Sequence, residues 1–237
     1  MNDREMVELL LAHGADPNSD IDSGGSATWA ASPSLRPLLI AHGGELDSYD
    51  SVWLNDDEEV VRRAKADPAS VECGCGGVFT AVVTNGKRDL LLRLLEAGIR
   101  VPPTVTACRS YLMENLEMFQ ILLTHGMNPD LPNWHGQTFL HDLCSGGRPG
   151  QFAKAKERAE ILLAAGASLT PREDEYSSTP LGWAARTNMP EMVEFLIARG
   201  APLNLPDDPH WATPLAWAER RGHREVAEIL RGHGATR

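Results

Sequence analysis

Thr179-Pro180-Leu181-Gly182-Trp183-Ala184-Ala185 and Thr213-Pro214-Leu215-Ala216-Trp217-Ala218-Glu219 nearly duplicate each other at a spacing of 34 residues. Each heads an amphipathic run that closes on a glycine, Gly200 and Gly234, again 34 residues apart. A fixed period of that length marks stacked units rather than one globular core.

The unit from Thr179 to Asn204 can be read residue by residue. Thr179 is an N-cap whose side chain can accept from an orphan amide of the coming helix. Pro180 suits the first helical position, where its missing N–H costs nothing. Leu181 to Arg186 is then a short helix of small residues, broken at Asn188-Met189-Pro190 because proline disfavours helix in the residue before it. Glu191 to Arg199 forms a second helix, with Met192, Phe195 and Leu196 on one face. Gly200 supplies the left-handed residue that commonly ends a helix, and Ala201-Pro202-Leu203-Asn204 leads out through an extended turn. One such pair has too little core to stand alone. Burial at about 25 cal/mol per Å² must offset roughly 1–2 kcal/mol of backbone entropy per residue. A stack succeeds because each pair buries its apolar stripe against the next.

The pattern T-P-L-x-x-A-A, followed by E-x-V-x-x-L-L-x-x-G-A, resembles the ankyrin repeat. The likeness is close at Thr179–Asn204 and Thr213–Ala235, and Arg221-Gly222-His223-Arg224-Glu225-Val226 carries the family's G-H-x-E-V turn. The resemblance implies an all-α fold, a solenoid of stacked helix–turn–helix units with short β-hairpin-like tips. It also implies a protein-interaction role played through those tips and the outward, concave face of the first helices.

Aligning the ends of the second helices divides the chain into one array over residues 1–237. It comprises a half repeat (1–20), degenerate repeats (21–47 and 48–72) and repeats at 73–101, 102–131, 132–170, 171–204 and 205–237. Thr138-Phe139-Leu140-His141 is close to the family's T-P-L-H. It lies 41 residues before Thr179, seven more than the period, which predicts a loop insertion between Cys144 and Glu157. Helices are expected near Val105–Tyr111, Leu116–His125, Ser34–Gly43 and Asp56–Asp67. Lys65 falls on a usually apolar position, so residues 45–77 are expected to pack most weakly. Met6 to Asp16 reads as the second half of a repeat without a first half. The expectation is that the gene product begins earlier or that another domain covers this end.

The net charge is −11, and Lys and Arg do not gather into a stripe. That argues against a generic binder of nucleic acid or anionic membrane. No apolar run approaches the 18 residues of a spanning helix, and residues 1–15 lack the order of regions found in a signal peptide. The default setting is cytoplasmic. Four cysteines at irregular spacing do not form a disulfide framework.

Few residues invite catalysis. Cys73-Gly74-Cys75 lacks the second pair, or the His pair, that a zinc site needs, and reads as a linker between repeats. His141, Asp142 and Cys144 fall within four residues on one short helix and so point in different directions, whereas a nucleophile and its base must converge. No cofactor, metal or small-molecule substrate is expected, and the chain is not expected to be an enzyme. His13, His42, His125 and His233 each precede the glycine that closes a second helix, where the helix dipole favours a partly protonated ring. His141 and His223 occupy repeat positions that point to hydrogen bonding within the array.

Three tips carry aromatics beside polar groups: Asn133-Trp134-His135, Asp174-Glu175-Tyr176 and Asp207-Asp208-Pro209-His210-Trp211. Trp and Tyr are enriched in interface hot spots. The expected partner-binding patch is Trp134, His135, Tyr176, His210 and Trp211, with Arg109, Arg186 and Arg220 beneath it on the first helices. Trp183 and Trp217 share a repeat position, with Trp29 expected at the same place, and are read chiefly as packing residues. The acid near the tips suggests a protein partner of basic or amide-rich character. The competing reading is a segment of a larger enzyme or toxin-like protein whose catalytic part lies outside this chain.

Overall fold

The structure, a computed structural model, describes residues 4–19, 26–72, 76–146 and 152–236. Among them the fold is all α: fifteen α-helices, 3-10 turns at Pro68–Glu72 and Pro103–Cys108, and no strand. The chain divides into two compact units, Met1–Cys108 and Arg109–Arg237.

The first unit holds α1 (Arg4–Ala12), α2 (Ala27–Ala30), α3 (Arg36–Ala41), α4 (Ser48–Trp53), α5 (Asp57–Ala66), α6 (Gly77–Thr84) and α7 (Arg88–Glu96). The first helices α4 and α6 pack on each other, as do the second helices α5 and α7. Local sequence sets these elements. Asp47 and Asp50 form a reciprocal capping box at the start of α4, and Asp56 caps α5 through the Glu59 amide. Between the helices of each pair the chain turns through a left-handed residue, Asn55 (φ 61°) or Gly86 (φ 64°). Val52, Val60 and Ala64 are fully buried, so the described part of residues 45–77 is not the weak part of the unit. Lys65 simply faces solvent. The least buried helix is α1, none of whose residues is buried. Met6, Leu9 and Leu10 stay about half exposed. Trp29 lies three residues past its cap Ser26, whereas Trp183 lies four past Thr179, so the two repeat positions match only loosely. Cys73-Gly74-Cys75 lies outside the described residues.

The second unit holds α8 (Arg109–Glu114), α9 (Leu116–Thr124), α10 (Phe139–Leu143), α11 (Phe152–Ala164), α12 (Pro180–Arg186), α13 (Pro190–Ala198), α14 (Pro214–Arg221) and α15 (Arg224–Gly232). The helix expected near Val105–Tyr111 is a 3-10 turn that gives way to α8. First helices α10, α12 and α14 pack in one row, and second helices α11, α13 and α15 in another. Leu162, Leu196 and Leu230 recur every 34 residues in the second row, each with 0% exposure. Gly166, Gly200 and Gly234 end the three helices at φ 86–91°. The seven extra residues are not all loop. α11 has 13 residues where α13 and α15 have 9, so residues 152–155 extend a helix. Residues 147–151 lie outside the described residues.

Candidate functional site

The histidines take up backbone groups that helix ends leave unpaired. Nδ1 of His13, His42, His125 and His233 lies 2.7–2.9 Å from the carbonyl four residues before it, satisfying last-turn acceptors. His223 Nε2 meets the Arg186 carbonyl at 3.1 Å, tying one repeat to the one before. His141 is buried. Its Nδ1 accepts from the Thr138 amide (3.1 Å) and lies 2.9 Å from the Thr138 hydroxyl, while Nε2 faces the Ser178 carbonyl at 3.0 Å. Those contacts fix the neutral Nε2–H tautomer, and burial holds its pKa below the ordinary histidine value.

The remaining members of the triad candidate do not converge. Asp142 is paired with Arg109 at 2.8 Å, and burial raises its carboxyl above the usual range despite that guanidinium. Cys144 is wholly buried and burial drives its thiol far up, so the thiolate is disfavoured.

The tips of the second unit are built on buried or paired carboxylates. Glu173, 2% exposed, accepts from the amides of Glu175, Tyr176 and Ser178 at 2.8–3.0 Å. This turn holds the Tyr176 ring in place. Asp174 crosses to the preceding tip, its amide donating to the His135 carbonyl at 2.9 Å. Gly136 lets the two tips approach: it sits at φ +75°, and a Cβ there would lie 3.1 Å from the Asp174 carboxylate. Arg172 grips both Asp207 (2.9 Å) and Asp208 (2.6 Å) of the following tip, and its guanidinium holds the Asp207 carboxyl below the usual range. Glu173, Asp207 and Asp208 thus meet groups of their own chain, while the Asp174 carboxylate stays exposed.

Four of the eight expected site residues fall into one cluster. The Arg186 guanidinium lies over the Tyr176 ring at 3.7 Å, with Trp183 at 5.0 Å and Trp217 at 5.3 Å. Tyr176 meets Trp183 and Trp217 edge-on, both at 5.7 Å, and Trp211 meets Trp217 edge-on at 6.1 Å. Arg220 covers Trp217 at 4.7 Å and donates to the Trp211 carbonyl at 3.0 Å. Trp183 and Trp217 are 8% and 5% exposed. They are packing residues that also floor the cluster, which is why sequence reading placed them outside the patch. Glu173 was missed altogether, since nothing in an acidic stretch marks the one carboxylate that turns inward.

The other expected residues lie elsewhere. Trp134 stacks on His135 at 3.3 Å and is 86% exposed, on the tip joined to the cluster's own tip through Asp174. His210 is exposed beside Trp211. Arg109 is built into the packing: besides Asp142 it donates to the Leu131 carbonyl at 3.0 Å and lies over Phe139 at 4.2 Å.

A family model described as ankyrin repeats (3 copies) matches residues 150–236. Over those residues the chain is similar to ankyrin repeats, and its described residues are all α. Ankyrin repeats are generally protein–protein interaction modules and typically non-catalytic. No curated protein matches the chain. Among the described residues no helix is long and apolar enough to cross a membrane.

Proposed function

We propose that the chain is a non-catalytic scaffold, working in the cytoplasm, that binds a partner protein through the tips of its second unit and the first-helix face behind them. The contact residues in this reading are Trp134, His135, Tyr176, His210 and Trp211 at the tips, with Arg186 and Arg220 behind. The observation that carries it is the exposure of Trp134 (86%) and Trp211 (45%) on turns held by Asn133, whose side chain accepts from the His135 and Gln137 amides, and by the Arg172–Asp207–Asp208 bridge. Large aromatics displayed on pre-organised backbone lose little entropy on binding. Arg109 has no part in the contact, being already bonded within the fold.

Trp134→Ala combined with Trp211→Ala tests this. With the full chain as bait in affinity capture, the wild-type protein retains a saturable partner and the double variant loses it. The far-UV circular dichroism of the two proteins stays the same. Undiminished capture by the double variant removes the tips from the contact.

A further inference from the structure

Arg186 and Arg220 occupy equivalent places 34 residues apart, each three residues after a tryptophan, in Trp183-Ala184-Ala185-Arg186 and Trp217-Ala218-Glu219-Arg220. Both lie in the last turn of the first helix of their repeat, and both guanidinium groups lie within 5.3 Å of the centre of the same ring, that of Trp217. Their electrostatic situation differs from that of three other arginines in the unit. Arg172, Arg199 and Arg231 each meet a carboxylate at 2.6–2.9 Å. Among the described residues Arg186 and Arg220 meet none. Arg186 Nε is buried with no hydrogen-bond partner, and the one side-chain hydrogen bond of Arg220 goes to a main-chain carbonyl. Four acids of the neighbouring tips are already engaged. Asp207 and Asp208 are held by Arg172, Glu173 is enclosed by backbone amides, and Glu175 accepts from the Tyr176 hydroxyl.

A guanidinium stacked on a ring has its faces desolvated, and the terminal N–H groups along its edge that meet no protein acceptor stay available. In-plane N–H groups then present a rigid fork that matches a carboxylate, in surroundings where the charge-assisted bond is stronger than in open water. From this we infer that the Arg186–Arg220 pair is the acceptor site for an acidic peptide segment of the partner, taken between the Tyr176–Trp183–Trp217 floor and Trp211. The inference deepens the proposed function and rests on it for location. It reverses the charge that the sequence of the tips suggests. A chain of net charge −11 repels acidic segments elsewhere on its surface, so the pair also confines binding to one place. At physiological salt the general repulsion is screened over about 8 Å, and contacts at the pair survive.

The test uses the full chain at 0.15 M salt with two fluorescein-labelled probes, hexaglutamate and hexalysine, followed by fluorescence anisotropy. Hexaglutamate is expected to bind saturably. Arg186→Gln with Arg220→Gln is expected to weaken it roughly tenfold or more, as loss of charge-assisted hydrogen bonds should. Arg221→Gln, the same charge change one residue away on the exposed end of α14, is expected to leave binding unchanged. Arg220→Gln alone, at the more exposed of the two sites, serves if the double variant does not keep the wild-type circular dichroism, and should give a weakening that Arg221→Gln does not.

Three results overturn the inference: no saturable hexaglutamate binding, equal binding by wild type and by the Arg186/Arg220 variants, or equal loss in Arg221→Gln. Preferential binding of hexalysine overturns it too. If that binding is lost in the Trp134→Ala, Trp211→Ala protein, the tips remain the contact surface and only the assignment of charge has failed.

Discussion

His141 shows how a repeat residue can resemble chemistry and serve structure. Its ring needs both nitrogens in the neutral state, one accepting from Thr138 and the other facing Ser178 of the next repeat. Burial lowers its pKa; Glu173 acts the other way and Arg109 with the burial, and Asp142 is its charged neighbour on the same helix. The sign follows: a group with a depressed folded pKa contributes stability that is whole above its ordinary value of about 6.5, and that contribution is lost as pH falls through the lower folded value. His141→Gln should therefore cost about 1–3 kcal/mol near pH 7.5, where two buried hydrogen bonds are disturbed. The gap between variant and wild type should narrow toward pH 5. Thermal melts of both proteins across that range measure it, and a gap independent of pH would mean that the ring is not buried as a neutral donor. His141 was assigned to structure correctly from its place in T-F-L-H, because repeat position dictates its partners. Arg109 instead pairs within the fold, and position on a first helix does not reveal whether an aspartate 33 residues later turns toward it.

At the scale of the element, the paired helices are set by short-range signals, and these were legible. Thr179 and Thr213 accept from the Gly182 and Ala216 amides at 3.2 and 3.1 Å, as N-caps should. The turn between helices uses the same device in both units: Asn55 and Gly86 in one, Asn188 (φ 60°) and Gly222 (φ 75°) in the other. Asparagine tolerates the left-handed region and glycine has no penalty there, whereas other residues cost roughly 1–2 kcal/mol. Gly222→Ala should lower stability by about 1 kcal/mol without shifting the urea m-value, since a Cβ there meets no atom within 4 Å and only the backbone is strained. A wild-type midpoint in urea denaturation would show that the turn relaxes. What the sequence left open at this scale was the 41-residue spacing. Excess length reads as loop, but Phe152 to Ala164 has enough helix formers to absorb part of it as about one extra turn of α11. The tips were also only partly legible. Acidic runs look like surface charge, and whether such a charge is free or bonded depends on partners 35 residues away, as Arg172 and Asp207 show.

For the molecule, the consequence of stacking is that stability is held between neighbours. Leu196 is the middle of the Leu162–Leu196–Leu230 series and is wholly buried in the second-helix row. α13 packs against α11 on one side and α15 on the other, so a cavity at Leu196 weakens two interfaces at once. Leu196→Ala should cost about 2–5 kcal/mol. In a chain whose repeats touch only neighbours, that loss is not spread evenly. α15 packs on α13 and α14, whereas α10 also reaches the preceding pair, through Arg109–Asp142 to α8 and Phe119–Phe139 to α9. Amide hydrogen exchange on the variant should therefore show protection falling first and furthest in α14 and α15, less in α10 and α11, and least in the first unit, whose own rows of helices are internally packed. The same substitution at Leu230 should open α14 and α15 while leaving α12 and α13 closer to wild type. A uniform loss of protection across the second unit in both variants would mean that the repeats unfold as one body, and that the period visible in the sequence organises packing without dividing the cooperativity.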